Sequence, residues 1–281
     1  MSQEDIRRLL IELGKEASLQ ELSEAATHEF PNRTLHSYLH ERLDSMQQKG
    51  LVQTKECEGI TKWILTAKGE TTTLETNICE LGTRVSENSL SKHGVQISNL
   101  VGSLDLQRAL DLSALSEDLD NMEYHPESYP SAIFYPSEES SSTIMIHTSG
   151  RISISGARDE QQIIDAANNL LCSLRNLGIE INANTDEIHI NNIVANFDFE
   201  REFDLEQISL ALGLERTEYE PEQFPGLIFQ SSMNSTISLF NSGKCVITGA
   251  KSYEEVLAVI KEIYNELNMI GVDLPNEYDL D

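Results

Sequence analysis

The last two-thirds of this chain is written twice, about 93 residues apart, and that duplication limits what it can fold into more than any other feature. Ile97-Ser98-Asn99-Leu100-Val101 recurs as Ile190-Asn191-Asn192-Ile193-Val194. Asp111-Leu112 recurs as Asp204-Leu205, Ser149-Gly150-Arg151 as Ser242-Gly243-Lys244, and Gly156-Ala157-Arg158 as Gly249-Ala250-Lys251. Only the middle slips, by two residues, where Glu123-Tyr124-His125-Pro126-Glu127 pairs with Glu218-Tyr219-Glu220-Pro221-Glu222. A period this long, present only twice, is not a solenoid repeat. It predicts two domain-sized halves fused into a pseudo-symmetric body, with function spanning both.

Each copy reads alike. A strand (Val95–Ser103; Ile188–Phe197) precedes a short helix (Leu112–Leu119; Leu205–Leu212). Short alternating runs follow, at Ser131–Tyr135, Thr143–Thr148 and Arg151–Ser155, then at Leu227–Gln230, Ser235–Asn241 and Lys244–Thr248. Alternation of apolar and polar residues is the mark of strands with one face covered and one open. Ser149-Gly150 and Ser242-Gly243 read as hairpin turns. A closing helix carries Ile163, Ile164, Ala167, Leu170, Leu171, Leu174 and Leu177 on one stripe, matched by Val256, Ile260, Ile263 and Leu267. The fold class expected is α+β: an antiparallel sheet with helices on one face and the other face free for function.

The residues then carry a resemblance. Tyr219-Glu220-Pro221-Glu222-Gln223-Phe224-Pro225-Gly226-Leu227-Ile228, and Phe240-Asn241-Ser242-Gly243-Lys244 followed by Ile247-Thr248-Gly249-Ala250-Lys251, resemble the second repeat of TATA-binding proteins of archaeal type. The resemblance covers residues 95–274, both repeats in order. It implies a ten-stranded saddle whose concave face lies on the minor groove of A·T-rich double-stranded promoter DNA. The family's two central asparagines match Asn99 and Asn192, and an amide donor suits the acceptors that A·T pairs show there. Its neighbouring valines match Val101 and Val194, and its hydroxyl positions Ser155 and Thr248. The phenylalanines that the family wedges between base steps, an insertion costing a few kcal/mol of unstacking, match Phe224 and Phe240 in repeat 2. Repeat 1 departs from the pattern, with Tyr129 and His147 in their places, and Ser153 and Ser238 make other concave positions polar. Phosphate contacts fall to Arg151, Arg158, Lys244 and Lys251, while Tyr135 and Gln230 stand where the family has further arginines. Glu220 and Glu222 match positions that meet transcription factor B, so a factor of that kind is the implied protein partner.

Charge complicates the picture. The chain has a net charge of −27, and residues 95–281 hold nine Lys and Arg against 32 Asp and Glu. DNA affinity rests largely on phosphate neutralisation, so such a body needs its few cations on one rim, or salt to screen the remainder. The acidic excess reads as a solvated surface of a salt-adapted protein rather than as an acidic binding patch.

Residues 1–70 form a separate pattern. Ile6, Leu9, Leu10 and Leu13 mark one amphipathic helix. Ser18, with Glu21 placed for a capping box, starts a second through Ala26. Asn32 is positioned to cap a third through Gln48, with Leu35, Leu39, Leu43 and Met46 inward and Gly50 as its stop. Two β-runs follow, Leu51–Lys55 and Lys62–Thr66, joined at Glu58-Gly59. This is the order of a winged helix–turn–helix, and Trp63-Ile64-Leu65-Thr66-Ala67-Lys68-Gly69 resembles such domains. In them the third helix enters the major groove and the wing touches backbone, which gives Arg33, Thr34, His36, Ser37 and His40, with Lys55 and Lys62 on the wing. The alternative is a module for protein contact or dimerisation. Residues 1–94 are only mildly acidic, 11 Lys and Arg against 15 Asp and Glu, which favours DNA contact here. The domains expected are thus 1–70, a linker 71–94, repeat 1 over 95–187 and repeat 2 over 188–281.

Enzymatic signals are lacking. Cys57, Cys79, Cys172 and Cys245 form no Cys-x-x-Cys pair, so neither zinc nor a disulfide framework is indicated. His36 and His40 stand four apart but without a metal-protease motif. No phosphate loop, triad, cofactor site, signal peptide or membrane span is read, and a cytoplasmic, nucleoid-associated protein is expected. Two functions stand at this point. The first is a transcription-initiation factor that binds and bends promoter DNA, the winged helix adding selectivity. The second is a non-bending regulator whose saddle holds a protein or small ligand while the winged helix alone binds DNA.

Overall fold

The computed structural model describes residues 3–29, 36–57, 59–71, 90, 93–137, 140–213 and 215–274. They fall into two compact units: Met1–Gly82 with Leu104–Ser153 and Ile164–Glu187, and Thr83–Ser103 with Ile154–Ile163 and Ile188–Asp281. The N-terminal stretch runs α1 (Gln3–Glu12), β1 (Glu16–Ser18), α2 (Leu19–Glu29), α3 (His36–Gln48), β2 (Val52–Cys57), β3 (Ile60–Leu65) and α4 (Ala67–Thr71). The first copy of the repeat follows as β4 (Gln96–Asp105), α5 (Leu112–Asp118), β5 (Met122–Glu123), β6 (Ala132–Phe134), β7 (Thr143–Ile146), β8 (Arg151–Ala157) and α6 (Glu160–Asn176). The second copy is β9 (His189–Asp198), α7 (Leu205–Leu212), β10 (Thr217–Glu218), β11 (Leu227–Gln230), β12 (Thr236–Leu239), β13 (Lys244–Ala250) and α8 (Tyr253–Met269).

The duplication governs the sheet. Its ten strands lie in the order β10-β11-β12-β13-β9-β4-β8-β7-β6-β5. Read from either end, that order visits matching strands of the two copies in the same succession. The leading strands β4 and β9 pair antiparallel at the centre, with Asn99 opposite Val194 and Val101 opposite Asn192. Each copy's short helix begins at an aspartate: Asp111 accepts from the Ala114 N–H at 3.1 Å, and Asp204 from the Gln207 N–H at 3.1 Å. Such caps satisfy donors that the first helical turn leaves unpaired. α8 packs on β13 and buries Val256, Val259, Ile260, Ile263 and Leu267 completely, as its apolar stripe requires. α6 buries Ile163, Ala167, Leu170, Leu171 and Leu174 in the same way.

The N-terminal stretch has its own core of Ile6, Leu9, Leu10, Leu22, Leu39, Leu43, Met46, Trp63 and neighbours. The capping box forms: the Glu21 N–H donates to Ser18 Oγ at 3.2 Å and the Ser18 N–H to Glu21 Oε2 at 2.7 Å. Two details differ from the pattern reading. β1 pairs with β3 to make a three-stranded sheet ordered β1-β3-β2, but a three-residue strand shows no measurable period. Leu13 lies beyond the end of α1 and stays 38 % exposed. Asn32 and Leu35 lie outside the described residues, as does most of the expected linker. Among the cysteines, Cys172 on α6 is disulfide-bonded, contrary to expectation, while Cys57 and Cys245 are free thiols. Burial pushes the Cys245 thiol up to about 12. Among the described residues no helix is long and apolar enough to cross a membrane.

Within the first unit, α3 is docked on repeat 1 by a buried ion pair absent from the sequence reading. The Arg42 guanidinium donates to Asp118 Oδ2 on α5 and, through Nε, to the Leu177 carbonyl, both at 2.5 Å. The two side chains are only 2 % and 4 % exposed. Beside them, Arg108 donates to both carboxylate oxygens of Glu41, at 2.8 and 3.0 Å. Gly178 admits this approach: a Cβ there would stand 2.9 Å from Arg42 Cγ and 3.0 Å from Arg42 Cα, and its φ of +82° is one that other residues rarely adopt.

Breaking one partner of a buried pair strands the other's charge. Asp118→Ala is therefore expected to destabilise the first unit by about 3–5 kcal/mol, read as a lowered urea midpoint at unchanged slope. A second expectation concerns the other unit, where Glu262 on α8 ties the sheet to the helix. Burial alone would raise its carboxyl, but hydrogen bonds from Ser231 Oγ, the Ser232 N–H and Arg216 outweigh that and hold it below its usual 4.5. A carboxyl depressed on folding adds stability that is complete above its unfolded pKa and lost as pH falls through the folded one. The wild-type melting temperature is thus expected to drop below about pH 4.5 more steeply than that of Glu262→Gln, as followed by circular dichroism.

Candidate nucleic-acid interface

Strand alternation sets the candidate surface of the second unit. On β9, Ile193, Ala195 and Phe197 are buried, which turns Asn192, Val194 and Asn196 to the half-open side. Asn99 and Val101 on β4, Val246 and Thr248 on β13, Ser155 on β8 and Ser238 on β12 are likewise half-exposed. The central open positions hold amides, hydroxyls and valines, with the charged Asp198 and Lys244 at the strand ends, although the chain is strongly acidic. An uncharged centre lets a nucleic-acid groove approach without repulsion between carboxylates and phosphates.

The two asparagines share one geometry. The Gly156 N–H donates to Asn99 Oδ1 at 2.8 Å, and the Gly249 N–H donates to Asn192 Oδ1 at 2.8 Å. With each amide oxygen engaged by backbone, the NH2 ends are the groups left to donate outward. Gly249 lies where β13 departs from regular register, between Ile247 and Ala250. Bulges re-aim groups in this way beside functional positions.

The wedge positions differ between copies. In the second unit, the Phe224 and Phe240 rings meet edge-to-face, with centroids 5.8 Å apart. Phe224 follows a turn in which the Gln223 and Phe224 N–H groups both donate to the Glu220 carbonyl. Gly226 makes room for the pair, since a Cβ there would stand 2.8 Å from Phe224 Cε1 and 3.1 Å from Phe240 Cε1. In the first unit the same turn recurs, Ser128 and Tyr129 donating to the His125 carbonyl, and Tyr129 is 48 % exposed. There Ser131 stands in the place of Gly226, and its Oγ lies 2.7 Å from His147 Nδ1. Tyr129 Oη donates to the Met145 sulfur at 3.5 Å. Glycine-to-serine and phenylalanine-to-histidine are therefore one coupled change: the extra side-chain atoms occupy wedge space, and the smaller imidazole hydrogen-bonds to them. Aligning the repeats through their two-residue slip pairs Ser131 with Gly226, but the contact between Ser131 and His147 needed the fold.

The remaining expected residues are placed as follows. Arg151 is highly exposed, with Asp105 3.5 Å away, a pairing of little energetic weight at that exposure. Arg158, Lys244 and Lys251 are exposed and have no carboxylate at ion-pairing distance among the described residues. Glu220 and Glu222 are exposed at the turn before β11, where Glu220 accepts a hydrogen bond from Gln223. In the N-terminal stretch, His40 is exposed, 3.0 Å from Asp44 and edge-on to Trp63 with ring centroids 5.9 Å apart. Lys55 is exposed on β2, and Lys62 lies 3.6 Å from Glu16. His36 and Ser37 lie in the first turn of α3. Arg33 and Thr34 lie outside the described residues.

A duplicated sheet with paired asparagines at its centre and an aromatic pair beside its outer strands defines a two-repeat fold with one open, polar face. Comparison with known proteins makes the class specific. The family model described as "Transcription factor TFIID (or TATA-binding protein, TBP)" matches residues 94–177 and 187–270, and the chain belongs to this family. Its members are non-enzymatic DNA-binding transcription factors. TATA-box-binding protein F of Halobacterium salinarum is 36 % identical over 179 residues, 63 % of this chain and 95 % of that protein. The TATA-box-binding protein of Thermoplasma volcanium is also 36 % identical over 179 residues, 63 % of this chain and 96 % of that one. Among solved structures, Methanococcus jannaschii TBP aligns with a TM-score of 0.56 at 33 % identity, covering 62 % of this chain and 98 % of that one. These likenesses span about the length of the two repeats; the first 90 residues have no counterpart in the family match.

Gly226→Ala is expected to force Phe224 and Phe240 apart and to cost about 1–3 kcal/mol by overpacking. Urea unfolding reads the loss, and the ring-proton nuclear Overhauser contacts between the two phenylalanines are expected to weaken.

Proposed function

We propose that this protein acts in transcription initiation by binding and bending A·T-rich promoter DNA in the minor groove. The observation that carries this reading is the matched pair of amides, Asn99 and Asn192, each with its oxygen engaged by a glycine N–H and its NH2 free to donate. Minor-groove A·T pairs present only acceptors, adenine N3 and thymine O2, so an outward amide donor fits them. Val101 and Val194 lie across from these asparagines in the register and offer apolar contact where the guanine amino group would otherwise project. Phe224 and Phe240 form the wedge that unstacks a base step. Repeat 1 is a weaker wedge: Tyr129 stacks, but His147 is tied to Ser131. Bending is therefore asymmetric, larger at the step met by repeat 2. Glu220 and Glu222 are the contact offered to a transcription factor B-like partner, and Arg151, Arg158, Lys244 and Lys251 neutralise phosphates.

The N-terminal stretch is read as a winged helix–turn–helix that adds sequence selectivity. Its order of three helices and a hairpin, its separate core, and the exposure of His40 and Lys55 support this. Arg33, Thr34, His36 and Ser37 at the start of α3, with Lys62, complete the proposed contacts. The docking through Arg42 and Glu41 leaves this module no free tether to repeat 1, so its DNA register is set relative to that repeat.

A second reading is favoured by the Ser131–His147 contact and the acidic balance: a regulator that does not bend DNA, in which the winged helix supplies all DNA affinity. Fluorescence resonance energy transfer across an end-labelled TATA duplex, with the full chain and then with transcription factor B added, separates the two. On the first reading a bent complex forms, and Asn192→Ala or Phe224→Ala weakens it by about 1–3 kcal/mol. Lys244→Ala is expected to reduce the slope of log affinity against log salt by about one. Binding without a change in end-to-end distance, untouched by Asn192→Ala and Phe224→Ala, would establish the regulator instead.

A further inference from the structure

The surface of repeat 1 that receives α3 has a counterpart on repeat 2 that receives no helix among the described residues. In repeat 1 that surface is made by Arg108, Asp118 on α5, the Leu177 carbonyl, Gly178 and Glu180. Arg108 is paired with Glu41 and also donates to the Glu180 carbonyl at 3.0 Å. The repeat offset of 93 carries these positions to Arg201, Ala211 on α7, Ile270, Gly271 and Asp273. Those residues, with Glu202, Asp204 and Gln207, line a groove of about 370 Å³ in the second unit, where Asp204 is already engaged in capping α7. The space is open by a second measure: a Cβ on Gly178 would strike Arg42, whereas one on Gly271, at nearly the same φ, would meet no atom within 4 Å.

Its charges are also unfinished. Arg201 has no carboxylate partner among the described residues; its guanidinium carbon lies 5.9 Å from the Phe203 ring centre, and its Nε is buried without a hydrogen bond. Arg108 shares an unpaired Nε, but its terminal nitrogens are taken up by Glu41 and Glu180. Asp118, the anchor for Arg42, is replaced by an alanine. A second copy of this chain is a poor occupant, because its α3 is already engaged with its own repeat 1 through Arg42 and Glu41.

We propose that the groove beside α7 and Gly271 docks an α-helix of a partner protein, one that brings a carboxylate to Arg201 and an uncharged side chain to Ala211. The docking repeats, between two proteins, the contact that α3 makes within this one. The partner helix is thus related to α3 in its carboxylate and unlike it at the position of Arg42.

The test uses the full chain and a fluorescein-labelled synthetic peptide of residues 36–49 carrying Arg42→Leu, followed by anisotropy. Saturable binding is expected, weakened about tenfold or more by Arg201→Glu and also by the milder Arg201→Gln, which guards against a folding defect. The peptide with Arg42 retained is expected to bind the wild-type chain more weakly and to recover on Ala211→Asp. No saturable binding, binding by both Arg201 variants as tight as by the wild-type chain, or loss through Arg108→Glu instead would overturn the proposal. Binding that appears only after removal of residues 275–281 would also overturn it, by assigning the groove to the chain's own end.

Discussion

A strand can give only one of its faces to a core, and that constraint organises the whole C-terminal two-thirds. On β9 the residues Ile193, Ala195 and Phe197 are buried, and α8 covers its side of the neighbouring β13. Asn192, Val194 and Asn196 are thereby left on the open side. The period of two leaves no freedom: a slip of one residue would exchange the two sets. The central asparagines are thus presented by the same packing that stabilises the unit. Their orientation is a finer matter, settled by the Gly156 and Gly249 N–H groups.

Against that shared frame, the two copies have diverged in linked sets of residues. At the wedge, Gly226 with Phe224 and Phe240 in one copy answers to Ser131 with Tyr129 and His147 in the other. Neither change is independent, because the glycine's missing Cβ is what the second ring requires. On the helical side, Asp118 in one copy answers to Ala211 in the other. The aspartate is there because Arg42 is there; without that arginine a buried carboxylate would be costly. The divergence of a duplicated protein therefore records which of its surfaces are already occupied.

Much of this was legible before any fold was known. The 93-residue offset predicts the matching strand succession of the sheet, the alternating runs predict strands with an open face, and the motif resemblance nominates Asn99, Asn192, Phe224 and Phe240 as candidates. The long apolar stripes read for α6 and α8 are buried in the fold, whereas a short element such as β1 left no pattern to read. The Arg42–Asp118 pair was illegible for a simple reason. Its partners are 76 positions apart, and a charged residue on an amphipathic helix reads as solvated unless something is known to cover it.

By itself the sequence determined the duplication, the alternation that separates a covered from an open sheet face, and the residue types that the open face presents. Those are consequences of local chemistry: side-chain period, caps and turns act over a few residues and can be read along the chain. The tertiary structure decided which polar groups meet: glycine N–H with asparagine oxygen, serine with histidine, Arg42 with Asp118. Hydrogen bonds and buried charge pairs act over about 3 Å, and only folding brings groups so far apart in sequence within that distance.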